Sequence, residues 1–274
     1  MSRILLGTSG WSYDEWVGPV YRSKSEPKLK RYSEFFKTVE IDSSFYVYPR
    51  SEVVVAMAYS VPEGFIFTAK APQEITHRLE LDVKARAINT LEKFTEIMKP
   101  LNRAGMLGCI LLQLPPKMEN SPDMLETFLE AVDKDFRYAI EFRHPYWLNE
   151  ETCKILTDNK VAYTIVDEPL LPPEVRVTSD FAYIRWHGRG YNPWYNYLYS
   201  VDELGDWVPK IREVSRTVEV VYGYFNNHFH GYAVYNCIQV LEMLGLAEEK
   251  HASLKKTDRE LLRYDGAEEG RDTG

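Results

Sequence analysis

With 274 residues, 45% of them apolar, the chain is long enough to bury a large core and has a globular composition. A formal charge of -8 disfavours a sequence-independent nucleic-acid binder, whose affinity would come from clustered Lys and Arg on phosphates. No apolar run approaches the ~18 residues of a membrane span, no signal-peptide pattern surrounds Ile4-Leu5-Leu6, and Cys109, Cys153 and Cys237 form no CxxC pair, so a reducing, cytoplasmic setting is expected.

Short β-rich runs alternate along the chain with longer amphipathic ones. The first strand is predicted at residues 4–9, and a helix at 28–37 follows with Leu29, Tyr32, Phe35 and Phe36 at apolar positions. Further strands are predicted at 38–42, 65–70, 107–114, 138–144, 161–167, 182–187 and 218–225. Between them lie predicted helices at 51–59, 82–102, 122–134, 149–159, 201–215 and 232–244, and only the link after the sixth strand lacks a clear helix.

Eight strands alternating with helices imply parallel pairing through crossovers. At this length they fit a TIM-type (β/α)8 barrel, a single domain over residues 1–246, better than an open doubly wound sheet. The GxGxxG signature of the open sheet is missing, because Gly7-Thr8-Ser9-Gly10-Trp11 does not match it. Residues 247–274 are rich in charge, contain Gly266, Gly270 and Gly274, and are expected to fray.

In a barrel the inward residues nearest the C-terminal strand ends line the site. Here the strands tend to finish on polar groups: Glu40 and Asp42, Lys70, Gln113, Glu141 and Arg143, Asp167, Arg185 and His187, and Asn226-Asn227. One charge at a strand end is ordinarily solvated or caps the next helix. Recurrence on seven strands points instead to a shared polar pocket. Aromatic residues crowd the turns: Trp11, Tyr13 and Trp16 after the first strand, Phe45, Tyr46 and Tyr48 after the second, and Tyr191 to Tyr199 in one loop. Such rings either cover the ends of the core or offer a stacking surface to sugars or bases.

The motifs Gly7-Thr8-Ser9-Gly10-Trp11, Val39-Glu40-Ile41 with Phe45-Tyr46, Gln113-Leu114-Pro115-Pro116, Glu141-Phe142-Arg143-His144, Arg185-Trp186-His187-Gly188 and Tyr224-Phe225-Asn226-Asn227 occur in this order. Together they resemble the YecE-like family, also called domain of unknown function 72, over about residues 4 to 245. The resemblance implies a TIM barrel and no settled activity. The chain departs from that pattern at Asp42, where the family usually has Asn, and at His228-Phe229-His230. The H-x-H spacing suits a metal on one side of a strand, but here it falls in a loop without an obvious partner set.

Three chemistries follow. The preferred one is a hydrolase or isomerase acting on a small anionic, phosphorylated or glycosylated substrate. Glu141, Glu40, Asp167 and His187 are its catalytic candidates, Glu141 foremost for proton transfer, and Lys70, Gln113, Arg143, His144, Arg185, Asn226, Asn227, Trp11 and Tyr46 are its binding candidates. The second places a divalent metal among Glu40, Glu141, Asp167, His144 and His187 to cut phosphodiesters; Arg143 and Arg185 on the same strand faces oppose it. The third is a non-catalytic binder of a nucleotide, nucleic acid or sugar, with the rings stacking and the charged mouth fixing an anion.

Overall fold

A computed structural model describes residues 2–118 and 121–254. All eight predicted strands are present: β1 (Arg3–Thr8), β2 (Thr38–Ile41), β3 (Ile66–Lys70), β4 (Leu107–Gln113), β5 (Tyr138–Glu141), β6 (Ala162–Asp167), β7 (Phe181–Trp186) and β8 (Val220–Phe225). They pair in parallel in the order β1-β8-β7-β6-β5-β4-β3-β2, and a bridge between Ser9 and Glu40 joins the two ends. The result is a closed eight-stranded barrel of TIM type.

The helices among the described residues are α1 (Lys28–Ser33), α2 (Ser51–Tyr59), α3 (Ala87–Arg103), α4 (Pro122–Ala131), α5 (Glu150–Asp158), α6 (Val201–Gly205), α7 (Trp207–Val214) and α8 (Tyr232–Leu244). Of the boundaries that differ from expectation, three have a clear local reason. The helix predicted at 201–215 breaks into α6 and α7 because the ring of Pro209 excludes the Gly205 carbonyl four residues earlier and offers no N–H to it. Residues 82–86 form a turn, not helix: Asp82 Oδ1 accepts from the Lys84 backbone N–H (2.8 Å), and Arg86 takes a left-handed φ of 69°. Strand β5 stops at Glu141, where Phe142 stacks on Trp147 (5.0 Å between ring centroids) and Pro145 opens a short 3-10 turn. The link between β6 and β7 carries no helix, as expected.

Alternation along each strand sends one set of side chains outward and the other inward. Outward residues such as Val39, Phe67, Ile110, Ile140, Tyr163 and Ile184 pack with the helices into the main core. Inward residues Leu5, Ile66, Cys109, Leu111, Ala139, Ala162, Phe181, Tyr183, Val220, Tyr222 and Tyr224 form a second, smaller cluster that fills the lower barrel. Closure depends on the missing side chain of Gly7, since a Cβ there would sit 2.3 Å from the Thr38 carbonyl oxygen.

Residues 247–254, expected to belong to a frayed tail, are instead tied down. Glu249–Leu254 forms a 3-10 turn, His251 lies 2.9 Å from the Phe35 carbonyl through Nε2, and Leu254 is buried. The remainder of that expected tail, 255–274, lies outside the described residues. Among the described residues no helix is long and apolar enough to cross a membrane, and all three cysteines are free thiols.

Candidate active site

Period-two alternation delivers one inward residue per strand to the C-terminal mouth: Ser9, Asp42, Lys70, Gln113, Arg143, Glu168, His187 and Asn226. All but Glu168 line a cavity of about 490 Å³. Its walls are completed by Tyr13, Tyr46, Trp194, Tyr195 and His228 from the surrounding loops. One layer below, Glu40, Glu141 and Arg185 form a buried ionic floor.

Arg185 organises that floor. Its Nη1 donates to Glu141 Oε2 (2.7 Å) and its Nη2 to Glu40 Oε1 (2.7 Å), and all three side chains are essentially inaccessible. Glu40 also accepts from Ser9 Oγ (2.5 Å) and from Tyr183 OH (2.6 Å). The second oxygen of Glu141 pairs with Arg143, which also pairs with Glu168. Removing these charges from water is costly, so each must be matched at close range. Burial alone would raise the pKa of Glu141, yet Arg143, Arg185 and His187 outweigh it and hold the carboxyl well below the usual range.

The groups around this floor are tuned differently. Burial, reinforced by the nearby Glu141 charge, pushes Glu168 up to about 7 against the pull of Arg143. Burial and the Arg143 charge bring His187 down to about 3, so its ring is neutral. Asn226 Nδ2 lies 3.0 Å from His187 Nδ1, and Glu141 Oε1 lies 3.2 Å from Nε2. Arg143 Nη2 also lies 3.0 Å from Nε2 and can only donate, so the guanidinium and the Glu141 carboxylate compete for that nitrogen. Asp42 is raised by burial and by Glu40, while its Oδ2 accepts from Tyr13 OH (3.2 Å). Gly10 (φ 75°) leaves room for that arrangement, since a Cβ there would lie 2.5 Å from Tyr13 OH and 2.9 Å from Asp42 Oδ1.

Lys70 differs from both arginines. Its Nζ lies 3.8 Å from the Phe45 ring centroid and makes no hydrogen bond or ion pair among the described residues. Burial and the Arg185 charge lower its pKa to about 8.

The aromatic wall is a three-ring stack. His228 lies between Tyr13 (4.4 Å, 11°) and Tyr195 (5.2 Å, 22°), and its carbonyl accepts from Trp16 Nε1 (2.8 Å). Tyr46 stands at the rim, 70% exposed.

A family model described as "Protein of unknown function DUF72" matches residues 5–260. The chain belongs to the DUF72 family. It is 28% identical over 272 residues to the UPF0759 protein YunF of Bacillus subtilis, covering 89% of this chain and 95% of that protein. To the UPF0759 protein YecE of Escherichia coli K12 it is 30% identical over 143 residues, covering 52% and 49% of the two chains. A solved DUF72 protein from Thermotoga maritima superposes with a TM-score of 0.80 at 33% identity, over 89% of this chain and 99% of that one. One from Enterococcus faecalis, 24% identical with a TM-score of 0.76 over 90% and 99%, shares the fold.

Within this DUF72 barrel the sequence-derived candidates separate into three groups. Lys70, Gln113, Arg143, Arg185, His187, Asn226 and Tyr46 reach the cavity wall. Glu40 and Glu141 lie in the floor with no accessible surface, their oxygens occupied by Arg185 and by Arg143, Ser9 or Tyr183. Asp167, Asn227, His144 and Trp11 are not in the wall. Asp167 falls on the outward parity, where Arg189 Nε (2.7 Å) and Nη2 (2.8 Å) and Trp207 Nε1 (2.7 Å) donate to it. Asn227 is likewise outward, donating to the Tyr197 carbonyl (2.9 Å) and Asn236 Oδ1 (2.8 Å). His144 is exposed and caps its own turn by accepting from the Tyr146 N–H (3.2 Å). Trp11 packs on the core and its carbonyl accepts from Tyr21 OH.

Of the five residues expected to surround a divalent metal, Asp167 and His144 lie elsewhere, while Glu40, Glu141 and His187 gather around Arg185. Among the described residues no group of three His, Cys, Asp or Glu side chains is placed to hold a metal ion. The site also includes Ser9 and Glu168, which sequence reasoning passed over, Trp194 and Tyr195 from the expected aromatic loop, Asp42 from the expected polar strand ends, and His228, which had stood out only as a departure from the family pattern. Strict parity points to Glu168, because Ala162, Thr164, Val166 and Glu168 share the inward face that Asp167 leaves.

Proposed function

We propose that this barrel is an enzyme that holds a small anionic substrate, phosphorylated or glycosylated, in its mouth and hydrolyses or isomerises it by acid–base chemistry. One observation carries the reading. Lys70 presents an ammonium without an anionic partner, among the described residues, to a cavity walled by stacked rings. A half-buried cation lacking a counter-ion favours an incoming anion, and the Tyr13-His228-Tyr195 stack lines the same cavity, where a sugar ring or base can pack against it.

Proton transfer falls to groups facing the cavity. Glu141, the foremost candidate from sequence, is kept anionic beneath the wall and serves to hold Arg143 and Arg185. Asp42 has a raised pKa, lines the cavity and is oriented by Tyr13, which suits a carboxyl that both gives and takes a proton. A non-catalytic sugar or nucleotide binder would use the same rings and cation, and Asp42 separates the two readings.

Thermal unfolding with inorganic phosphate, glucose 6-phosphate and glucose tests the anion preference. The phosphorylated sugar should raise the Tm where glucose at equal concentration does not, by an amount corresponding to ~2.7 kcal/mol at a hundredfold excess over Kd. K70M should abolish that shift. Equal responses to the two sugars would count against the reading. With a turned-over substrate in hand, D42N should lower kcat at least tenfold while leaving affinity within about threefold; an affinity change alone would favour the binder.

A further inference from the structure

We propose that Lys70 is an imine-forming amine, whose Nζ condenses with the carbonyl carbon of a small anionic aldehyde, ketone or 2-oxo acid held in the mouth. The inference rests on the reading of the mouth as an anion-holding active site and names its substrate class.

The geometry around Lys70 distinguishes it from an ordinary structural cation. It ends β3 on the inward parity and lines the cavity, with Nζ over the Phe45 ring. The charged or titratable groups acting on it come from several elements: Arg185 on β7, Arg143 and Glu141 at the end of β5, Glu40 and Asp42 at β2, and His77 in the π-helical turn after β3. Of the carboxylates, Glu40 and Glu141 are already committed to the arginines. Burial acts most strongly against the ammonium; the two guanidiniums oppose it and Glu40 and Glu141 partly offset them, while the remaining carboxyl, Asp42, is turned toward Tyr13. A lysine desolvated beside other cations gives up its proton easily and becomes a nucleophile. With a pKa of about 8, about a tenth of the side chain carries a free lone pair at neutral pH.

The steps balance without a further reactant. The Nζ lone pair forms the C–N bond as the carbonyl π pair moves onto oxygen. One N–H proton reaches that oxygen through the Asp42 carboxyl, which accepts it and hands it on. The nitrogen lone pair then closes the C=N bond, and the oxygen leaves as water with the second N–H proton. Arg143 also lines the cavity, its Nη1 and Nη2 held by Glu168 and Glu141, and it acts on the carboxylate or phosphate of the substrate through its charge.

Trapping with sodium cyanoborohydride reads this out directly. The full chain is incubated with pyruvate or with dihydroxyacetone phosphate, reduced, and analysed by intact mass and peptide mapping. The expected result is one adduct per chain, at Lys70, formed at least tenfold faster than at any other lysine. Its rate should rise with pH through about 8, whereas exposed lysines react appreciably only near ~10. K70R keeps the charge and should lose the adduct. Absence of a Lys70 adduct with both probes, or labelling spread evenly over the lysines, overturns the proposal. Thermal shifts recorded on the same samples distinguish two failures: stabilisation by dihydroxyacetone phosphate without an adduct removes the imine and leaves the anion site, whereas neither effect removes both.

Discussion

Burial and neighbouring charge displace Glu168 and His187 from their ordinary pKa values, with opposite consequences for stability. Glu168 moves from 4.5 to about 7 on folding, so the folded chain binds its proton more tightly. That contribution is complete below 4.5 and is lost as the pH rises through about 7. His187 moves from 6.5 to about 3, so its contribution is complete above 6.5 and is lost as the pH falls toward 3. Between 4.5 and 6.5 the two oppose each other, each changing stability by at most ~1.4 kcal/mol per pH unit. The substitution E168Q removes one side of this balance. It should make stability fall more steeply than in the parent as the pH drops from 6.5 to 4.5. Denaturant midpoints across that window check it; an unchanged slope would mean that Glu168 titrates normally. Spacing along the chain revealed Arg143 and Arg185 but not this tuning, which depends on which carboxylates the arginines have already neutralised.

At the scale of elements, β6 and α7 are joined by Asp167, which binds Arg189 and the Trp207 indole. D167A would leave a buried indole N–H without its acceptor, a loss of ~1–3 kcal/mol. The variant should therefore unfold at lower denaturant while binding a mouth ligand within about twofold of the parent. A collapse of binding with unchanged stability would return Asp167 to the site. The eight strands were legible because period-two alternation survives in short segments, as in Ile140-Glu141-Phe142-Arg143. Their ends were less so. Phe142 leaves the sheet for Trp147, and Pro209 divides a helix whose apolar periodicity runs on unbroken. Asp167 and Asn227 were misplaced for a related reason: a polar residue at a strand end attracts attention, but its parity decides which side of the wall it occupies.

For the whole molecule, closure depends on a close backbone approach at one junction. The Ser9–Glu40 bridge joins β1 to β2, and Gly7 allows the two backbones to approach. G7A should destabilise the barrel by more than ~3 kcal/mol or prevent folding, because backbone must move to admit the methyl group. G205A, facing open space at the end of α6, is the control and should stay within ~1 kcal/mol of the parent. Comparable stability of the two variants would argue against closure at Gly7. The sequence alone determined the alternation of strands and helices, the barrel and the end of it that bears polar groups, because periodicity and connectivity are local properties of the chain. Only the tertiary structure decided that Glu141 is a buried counter-ion, that Glu168 replaces Asp167 at the mouth, and that Lys70 stands without an anionic partner among the described residues. Charge pairing and desolvation follow distances across the barrel, between strands far apart in sequence, and no spacing along the chain encodes them.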